Sequence, residues 1–161
     1  MKLAIFGGTG RVGSQVVRLA RERGNTVTHL AREAGDDDAG VTRVVGNVLA
    51  AADVGQVVRG ADAIISTLGV QDFRNPGTLL EDGMRVITRV ARTLGVRRVI
   101  AVANMGVLDS PGGGLRHDQA SFAGEFRPIS LAHAGTWRAL EESLLDWTLV
   151  CTGDQVPGSQ P

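Results

Sequence analysis

The sequence predicts an α/β fold in which one parallel sheet carries helices on both faces. Three observations favour this class. Short apolar strands alternate with helical repeats along the chain, glycines follow several of the helices, and the first strand runs directly into a glycine turn and a helix. Parallel neighbours are joined by right-handed crossovers, so this alternation places helices on both sides of the sheet.

The N-terminal segment carries the strongest signal. It reads Met-Lys-Leu-Ala-Ile-Phe-Gly-Gly-Thr-Gly-Arg-Val-Gly. Gly7 and Gly8 allow a tight turn, Gly10 lets the backbone approach phosphates, and Gly13 lets the helix pack against the strand. The helix N-terminus supplies unpaired N–H groups and the positive end of a dipole. We therefore predict a Rossmann-type, doubly wound sheet that binds a dinucleotide.

Hydrophobic periodicity and helix-ending glycines define the other elements. Strands are predicted at 2–6, 26–31, 42–45, 62–68, 98–103 and 146–151. Helices are predicted at 11–23, 53–59, 78–94 and 131–145. The acidic run 36–38 predicts a solvated turn, 105–130 an irregular, mobile stretch with few buried contacts, and 152–161 a frayed tail. The apolar stripe of the 78–94 helix suggests a sheet-covering surface or a homodimer.

Composition narrows the function classes. A chain of 161 residues accommodates one domain, 1–161, with a substantial core. Its net charge of zero argues against nucleic acid, and no apolar run predicts a membrane span. The single cysteine, Cys151, fits a cytoplasmic protein, and His29, His117 and His133 lack metal-ligand spacing. We expect a small-molecule substrate as the partner.

The absence of tyrosine and the near absence of lysine limit the catalytic mechanisms open to this chain. The chain contains no tyrosine, and its only lysine is Lys2 in the first predicted strand. A tyrosine proton donor assisted by a nearby lysine is therefore excluded.

The residues at the end of the second predicted strand indicate whether the cofactor is NAD or NADP. NAD enzymes usually place an acid there, whereas an arginine accommodates the 2′-phosphate of NADP. This chain has Ala31 followed by Arg32, which predicts NADP (NADPH) in preference to NAD. Arg11 would add a second positive charge. The alternative is a surface ion pair between Arg32 and Glu33.

Four segments carry a resemblance to a known family: the glycine loop 7–13, Ala31-Arg32, 45–48 and 144–150. They resemble the atypical short-chain dehydrogenase/reductases, most closely the NAD(P)-binding, NmrA-like group that includes flavin/biliverdin reductase B. The resemblance extends from Met1 to Gln155. It implies a cofactor site, with Asn47 in place of a usual aspartate beside adenine. The implied cofactor residues are Gly7, Thr9, Gly10, Arg11, Val12, Gly13, Arg32, Asn47, Val48, Thr67, Leu68 and Gly69.

The same resemblance implies two catalytic positions. His133 matches a histidine of the flavin reductase branch, and Asn104 stands where that branch carries a serine. Asn104 would orient a carbonyl. His133, with an ordinary pKa of ~6.5, would donate a proton, so activity would fall as pH rises through that range. The alternative for His133 is a solvated or capping side chain.

Two functions remain open from the sequence. The first is an NADPH-dependent reductase that transfers a hydride directly to a small planar, flavin- or quinone-like acceptor, on which Phe122 or Phe126 could stack. Both aromatics could instead pack into the core. Asp72 and Arg74 are interpreted as surface residues. The second function is a non-catalytic NADP(H) sensor of the NmrA-like type, favoured by the missing proton donors.

Overall fold

A computed structural model describes residues 1–36 and 39–153 of the chain. Six parallel strands form one sheet in the order β3-β2-β1-β4-β5-β6. The strands are β1 (Lys2–Phe6), β2 (Thr26–Ala31), β3 (Val41–Val45), β4 (Ala63–Ser66), β5 (Arg98–Asn104) and β6 (Asp146–Thr152). This confirms the predicted doubly wound class. Most of the predicted tail and two residues of the acidic run lie outside the described residues.

Within residues 1–36 and 39–153, four helices and three short 3₁₀ turns connect these strands. The helices are α1 (Arg11–Glu22), α2 (Ala51–Val58), α3 (Leu79–Thr93) and α4 (Arg127–Glu141). The 3₁₀ turns are Met105–Val107, Arg116–Asp118 and Gly124–Phe126. None of the helices in the described part of the chain is long and apolar enough to cross a membrane.

Alternation along β1 divides the core between the two faces of the sheet. Ile5 packs with Ala20 of α1 on one face. Ala4 and Phe6 point to the other face, where the larger apolar cluster is built from α2, α3 and α4. Phe6 lies level with Leu30 of β2 and Ser66 of β4, so three strand ends meet at one edge. The strand order reverses there, where doubly wound sheets bind their ligands.

Helix α4 differs from the prediction of 131–145 at both ends. It begins at Arg127, because Pro128 is tolerated in the first turn of a helix, where its missing N–H has no acceptor to serve. It ends at Glu141. Leu144 has a φ of 58°, a left-handed conformation that cannot continue an α-helix.

The stretch 105–130 is anchored more firmly than expected. Val107 and His117 are buried, and His117 Nδ1 lies 2.9 Å from the Gly106 carbonyl oxygen. Phe122 also lies against Gly106. The expectation of few buried contacts is therefore wrong at these positions, because the 3₁₀ turns fold back onto the end of β5.

The apolar stripe of α3 is used inside the chain. Its buried members are Leu80, Met84, Ile87 and Ala91. The exposed side of α3 is charged, carrying Asp82, Arg85, Arg89 and Arg92. The stripe is therefore accounted for by packing within the chain and does not itself support a homodimer.

Candidate functional site

The glycine turn after β1 is drawn tightly against β4. Gly7 has a φ of 80°, and a Cβ there would lie 2.5 Å from the Thr67 carbonyl oxygen. The Gly10 N–H donates to the Gly7 carbonyl at 3.0 Å. Both the backbone conformation and the contact therefore require glycine at position 7.

Gly13 and Gly10 have different roles in this turn. A Cβ on Gly13 would lie 2.0 Å from the Gly7 carbonyl oxygen and 2.5 Å from Thr67 Oγ1. A Cβ on Gly10 would meet only the Gly7 carbonyl oxygen, at 3.3 Å. Gly13 is thus required for helix packing, whereas Gly10 keeps open space beside the backbone.

The N-terminus of α1 faces this open space. Its first helical bond runs from the Ser14 N–H to the Gly10 carbonyl, at 2.9 Å. Within the described residues, no side chain caps this end and its first turn contains no acid. The earlier N–H groups, including those of Arg11 and Val12, are left without helical acceptors. This arrangement, together with the cradle at Gly10, fits a pyrophosphate.

A backbone strip continues from the turn along the sheet edge. β4 ends at Ser66, and the Thr67 N–H and Oγ1 both donate to the Phe6 carbonyl, at 2.8 and 3.1 Å. Leu68 and Gly69 follow outside the strand ladder, and Gly69 is exposed. The structure therefore places the 67–69 strip beside Gly7, as the resemblance implies for residues under a ribose and nicotinamide.

Arg32 extends into solvent after β2. Residues 1–36 and 39–153 contain no ion pair between Arg32 and Glu33, the arrangement considered as an alternative. A neighbouring arginine supports this loop instead: Arg43 of β3 donates to the Glu33 and Asp36 carbonyls at 3.3 and 3.5 Å. The sequence analysis missed this support, since it depends on β3 lying beside β2.

Asn47 is held in place by its own hydrogen bonds after β3. Its N–H donates to Asp53 Oδ2 at 2.8 Å, and its Oδ1 accepts from the Leu49 N–H at 2.9 Å. No described residue accepts a hydrogen bond from the side-chain nitrogen Nδ2 of Asn47. Because Asn47 is exposed, this amide can donate to a ligand. Val48 is only 7% exposed and packs in the core, so it has little surface to offer adenine. Asp53 was not among the predicted site residues, although an acid in the first turn of a helix is a recognisable signal.

Asn104 at the end of β5 is occupied by structural contacts. Its Oδ1 accepts from the Gly106 N–H at 3.2 Å, and its Nδ2 donates to Ser130 Oγ at 2.8 Å. Ser130 is fully buried and donates in turn to the Phe126 carbonyl at 2.8 Å. Only one Nδ2 hydrogen of Asn104 has no partner among the described residues. Because the rest of the amide is bonded within the protein, the main role of Asn104 in this structure is to position α4 against β5.

His133 lies in the second turn of α4 and is half-buried. Its Nδ1 is buried without a hydrogen-bond partner among the described residues. Burial lowers the pKa of His133 to about 4, so the imidazole is neutral near pH 7. The ordinary pKa expected for His133 is therefore wrong, whereas its role toward a substrate stays a prediction. The orphaned nitrogen is suited to a hydrogen bond with a bound ligand.

The other polar groups that could have a chemical role lie away from the strand ends or are unreactive. The described residues contain no group of three side chains suited to hold a metal ion. A wide cavity of about 610 Å³ between α3 and α4 is lined by Arg85, Arg89 and Arg92, away from the strand ends. Burial raises the pKa of the Cys151 thiol, which disfavours a reactive thiolate.

The known proteins that match this chain indicate the same class of ligand as the glycine turn and the strand order. The family model for NAD(P)H-binding proteins matches residues 7–155. The chain belongs to the NAD(P)H-binding family. This NAD(P)H-binding protein is similar in structure to a candidate exported protein from Burkholderia pseudomallei, with 28% identity and a TM-score of 0.78 over 92% of this chain and 70% of that one.

Two further structures share the fold of this NAD(P)H-binding protein. A candidate NADH-flavin reductase from Streptococcus pneumoniae is 24% identical, with a TM-score of 0.80 over 94% of this chain and 71% of that one. The oxidoreductase ylbE from Lactococcus lactis is 22% identical, with a TM-score of 0.76 over 94% and 68% of the respective chains.

Proposed function

We propose that this protein is an oxidoreductase that transfers a hydride from NADPH to a small planar, flavin- or quinone-like acceptor. The observation that carries the proposal is the row of adjacent strand ends, which runs from the uncapped α1 N-terminus after β1, through the 67–69 strip after β4, to Asn104 at the end of β5. The fold shared with a candidate NADH-flavin reductase and an oxidoreductase supports it.

The residues of this edge would bind and orient rather than exchange protons. NADPH would supply the chemistry, a hydride carrying two electrons, and the anion formed on the acceptor would take up one proton from water. His133, neutral near pH 7, would hold the acceptor or the carboxamide by a hydrogen bond. Orientation of this kind can lower a barrier by ~7–11 kcal/mol in favourable cases, so the absence of a tyrosine–lysine pair is compatible with turnover.

NADPH is the proposed cofactor in preference to NADH. The support is Arg32, exposed after β2 and without an ion pair to Glu33 in the described part of the chain. A guanidinium there suits the 2′-phosphate.

We also place the chain in the NmrA-like group near flavin/biliverdin reductase B, on the motif resemblance alone. A cytoplasmic location and a homodimer stay predictions, the latter checked by light scattering.

A non-catalytic NADP(H) sensor is the second candidate. It is favoured by the structural use of Asn104 and the neutral state of His133, which leave the cleft without an obvious proton donor. The test follows NADPH absorbance with riboflavin, menadione and a bilin in turn, beside a direct NADPH titration. We expect oxidation with riboflavin or menadione. Tight NADPH binding with no oxidation above background would instead establish the sensor.

A further inference from the structure

Two exposed aromatic rings meet above the sheet edge. Phe73 lies in the loop between β4 and α3, and Phe126 ends the last 3₁₀ turn before α4. Their ring centroids are 5.5 Å apart with an interplanar angle of 27°, a stacked arrangement. The two residues remain 36% and 42% exposed. Apolar side chains grouped at a surface often mark a binding site.

The pair is linked to the carboxyl ends of β4 and β5. The loop that carries Phe73 starts at the 67–69 strip. Phe126 is tied to the end of β5, because its carbonyl accepts from Ser130, whose Oγ accepts from Asn104. Ser130 and His133 both belong to α4, which begins at Arg127, directly after Phe126.

Polar contacts hold the two loops in a set arrangement. Asp72 Oδ1 accepts from the N–H groups of Arg74 and Asn75 at 2.9 and 3.2 Å, and Oδ2 accepts from Asn75 Nδ2 at 3.0 Å. This Asx-type turn presents Phe73. The guanidinium carbon of Arg74 lies 5.5 Å from the Phe73 ring centroid, and its Nη2 is 3.7 Å from Glu125 Oε2. These contacts join the two loops that carry the rings.

We propose that Phe73 and Phe126 form the stacking surface for the planar ring system of the acceptor. The inference rests on the proposed function, and it narrows the acceptor to flat fused rings such as isoalloxazines and naphthoquinones. A flat π system stacks on aromatic rings in an offset geometry, and covering the two exposed rings removes apolar surface from water. Asn104 and Ser130 act as positioning residues for Phe126.

The test uses the full chain loaded with NADP⁺ and measures riboflavin binding by quenching of flavin fluorescence. Phe73→Leu and Phe126→Leu remove an aromatic ring, whereas Phe73→Tyr and Phe126→Tyr keep it. Leu131→Ala is the control, since Leu131 is an exposed apolar residue of the neighbouring helix α4. We expect about tenfold weaker riboflavin binding in each Leu variant, little change in the Tyr variants and the control, and unchanged NADPH affinity in all.

The outcomes separate this inference from the proposed function. Equal riboflavin affinity in the wild type and both Leu variants, with NADPH oxidation intact, overturns the stacking surface and leaves the reductase. Riboflavin binding that is lost in the Leu variants, in a wild type that oxidises no NADPH, supports the stacking surface and overturns the reductase. A folded wild type that binds neither riboflavin nor menadione overturns the stacking surface.

Discussion

Asn104 Nδ2 donates to Ser130 Oγ at 2.8 Å, and this bond joins the end of β5 to the start of α4. Ser130 is fully buried, so its hydroxyl cannot replace the bond with bulk water. The position that the sequence suggested for substrate contact is therefore a structural link between two elements of the cleft.

Replacing Asn104 with alanine should lower the free energy of unfolding by ~1–3 kcal/mol. The change removes the donor to the buried Ser130 Oγ, which keeps only its bond to the Phe126 carbonyl, and it removes the acceptor of the Gly106 N–H. Urea denaturation measures the effect. Asn75→Ala, which removes one side-chain hydrogen bond from an exposed loop, is the matched control and should cost less. An Asn104→Ala variant as stable as the wild type would contradict the structural role.

Gly10 and Gly13 should respond differently to substitution. Gly10→Val places its side chain in the open cradle, so dinucleotide binding should be lost while the fold survives. Gly13→Ala should destabilise the fold itself, because its Cβ would clash with the Gly7 carbonyl. Circular dichroism and NADPH titration separate the two effects. A folded Gly10→Val variant with normal NADPH affinity would show that the motif is only a turn.

Arg32→Ala should weaken NADP(H) binding at least about tenfold and barely change NAD(H) binding. The expected cause is loss of a charge-assisted contact with the 2′-phosphate. Titration calorimetry with both cofactors measures the difference, and Arg59→Ala, at another exposed arginine, serves as the control. An equal loss for the two cofactors would remove the basis of the NADP preference.

His133 should make the fold less stable as pH falls. Its folded pKa of about 4 lies below the ordinary 6.5, so the unfolded chain binds the extra proton first. The stability that depends on a neutral His133 is fully present above pH ~6.5 and is lost as pH falls towards ~4. Between about pH 7.5 and pH 5, the wild type should lose roughly 2 kcal/mol more than His133→Asn. Parallel pH profiles in the two proteins would contradict the neutral assignment.

His117→Ala should loosen the 3₁₀ segment that follows β5. The substitution removes the contact with the Gly106 carbonyl and leaves space in a buried site. Amide exchange over residues 105–118 should be at least about tenfold faster, as hydrogen-exchange mass spectrometry would show. Ser121→Ala, at an exposed position of the same stretch, should leave exchange unchanged. Unaltered exchange in His117→Ala would mean that other contacts anchor the segment.

Local sequence signals determined the fold, and they are also the basis of the predicted cofactor site. The glycine turn, the helix after it and the alternation of strands and helices depend on neighbouring residues, and their physical rules act over a few positions. Arg32 was found in the same way, from its place directly after β2. The start of α4 was misplaced, although Pro128 is a local signal for a first helical turn.

The tertiary structure alone decided what the side chains near the end of β5 and the start of α4 contact. Phe73 stacks on Phe126, and Asn104 bonds to Ser130, so these contacts join segments far apart in the chain. His133 is half-buried in the same fold. Such contacts depend on strand order and on how α4 packs over β5, which no local pattern encodes. Burial in turn sets the protonation state of His133, because desolvation disfavours the charged imidazole.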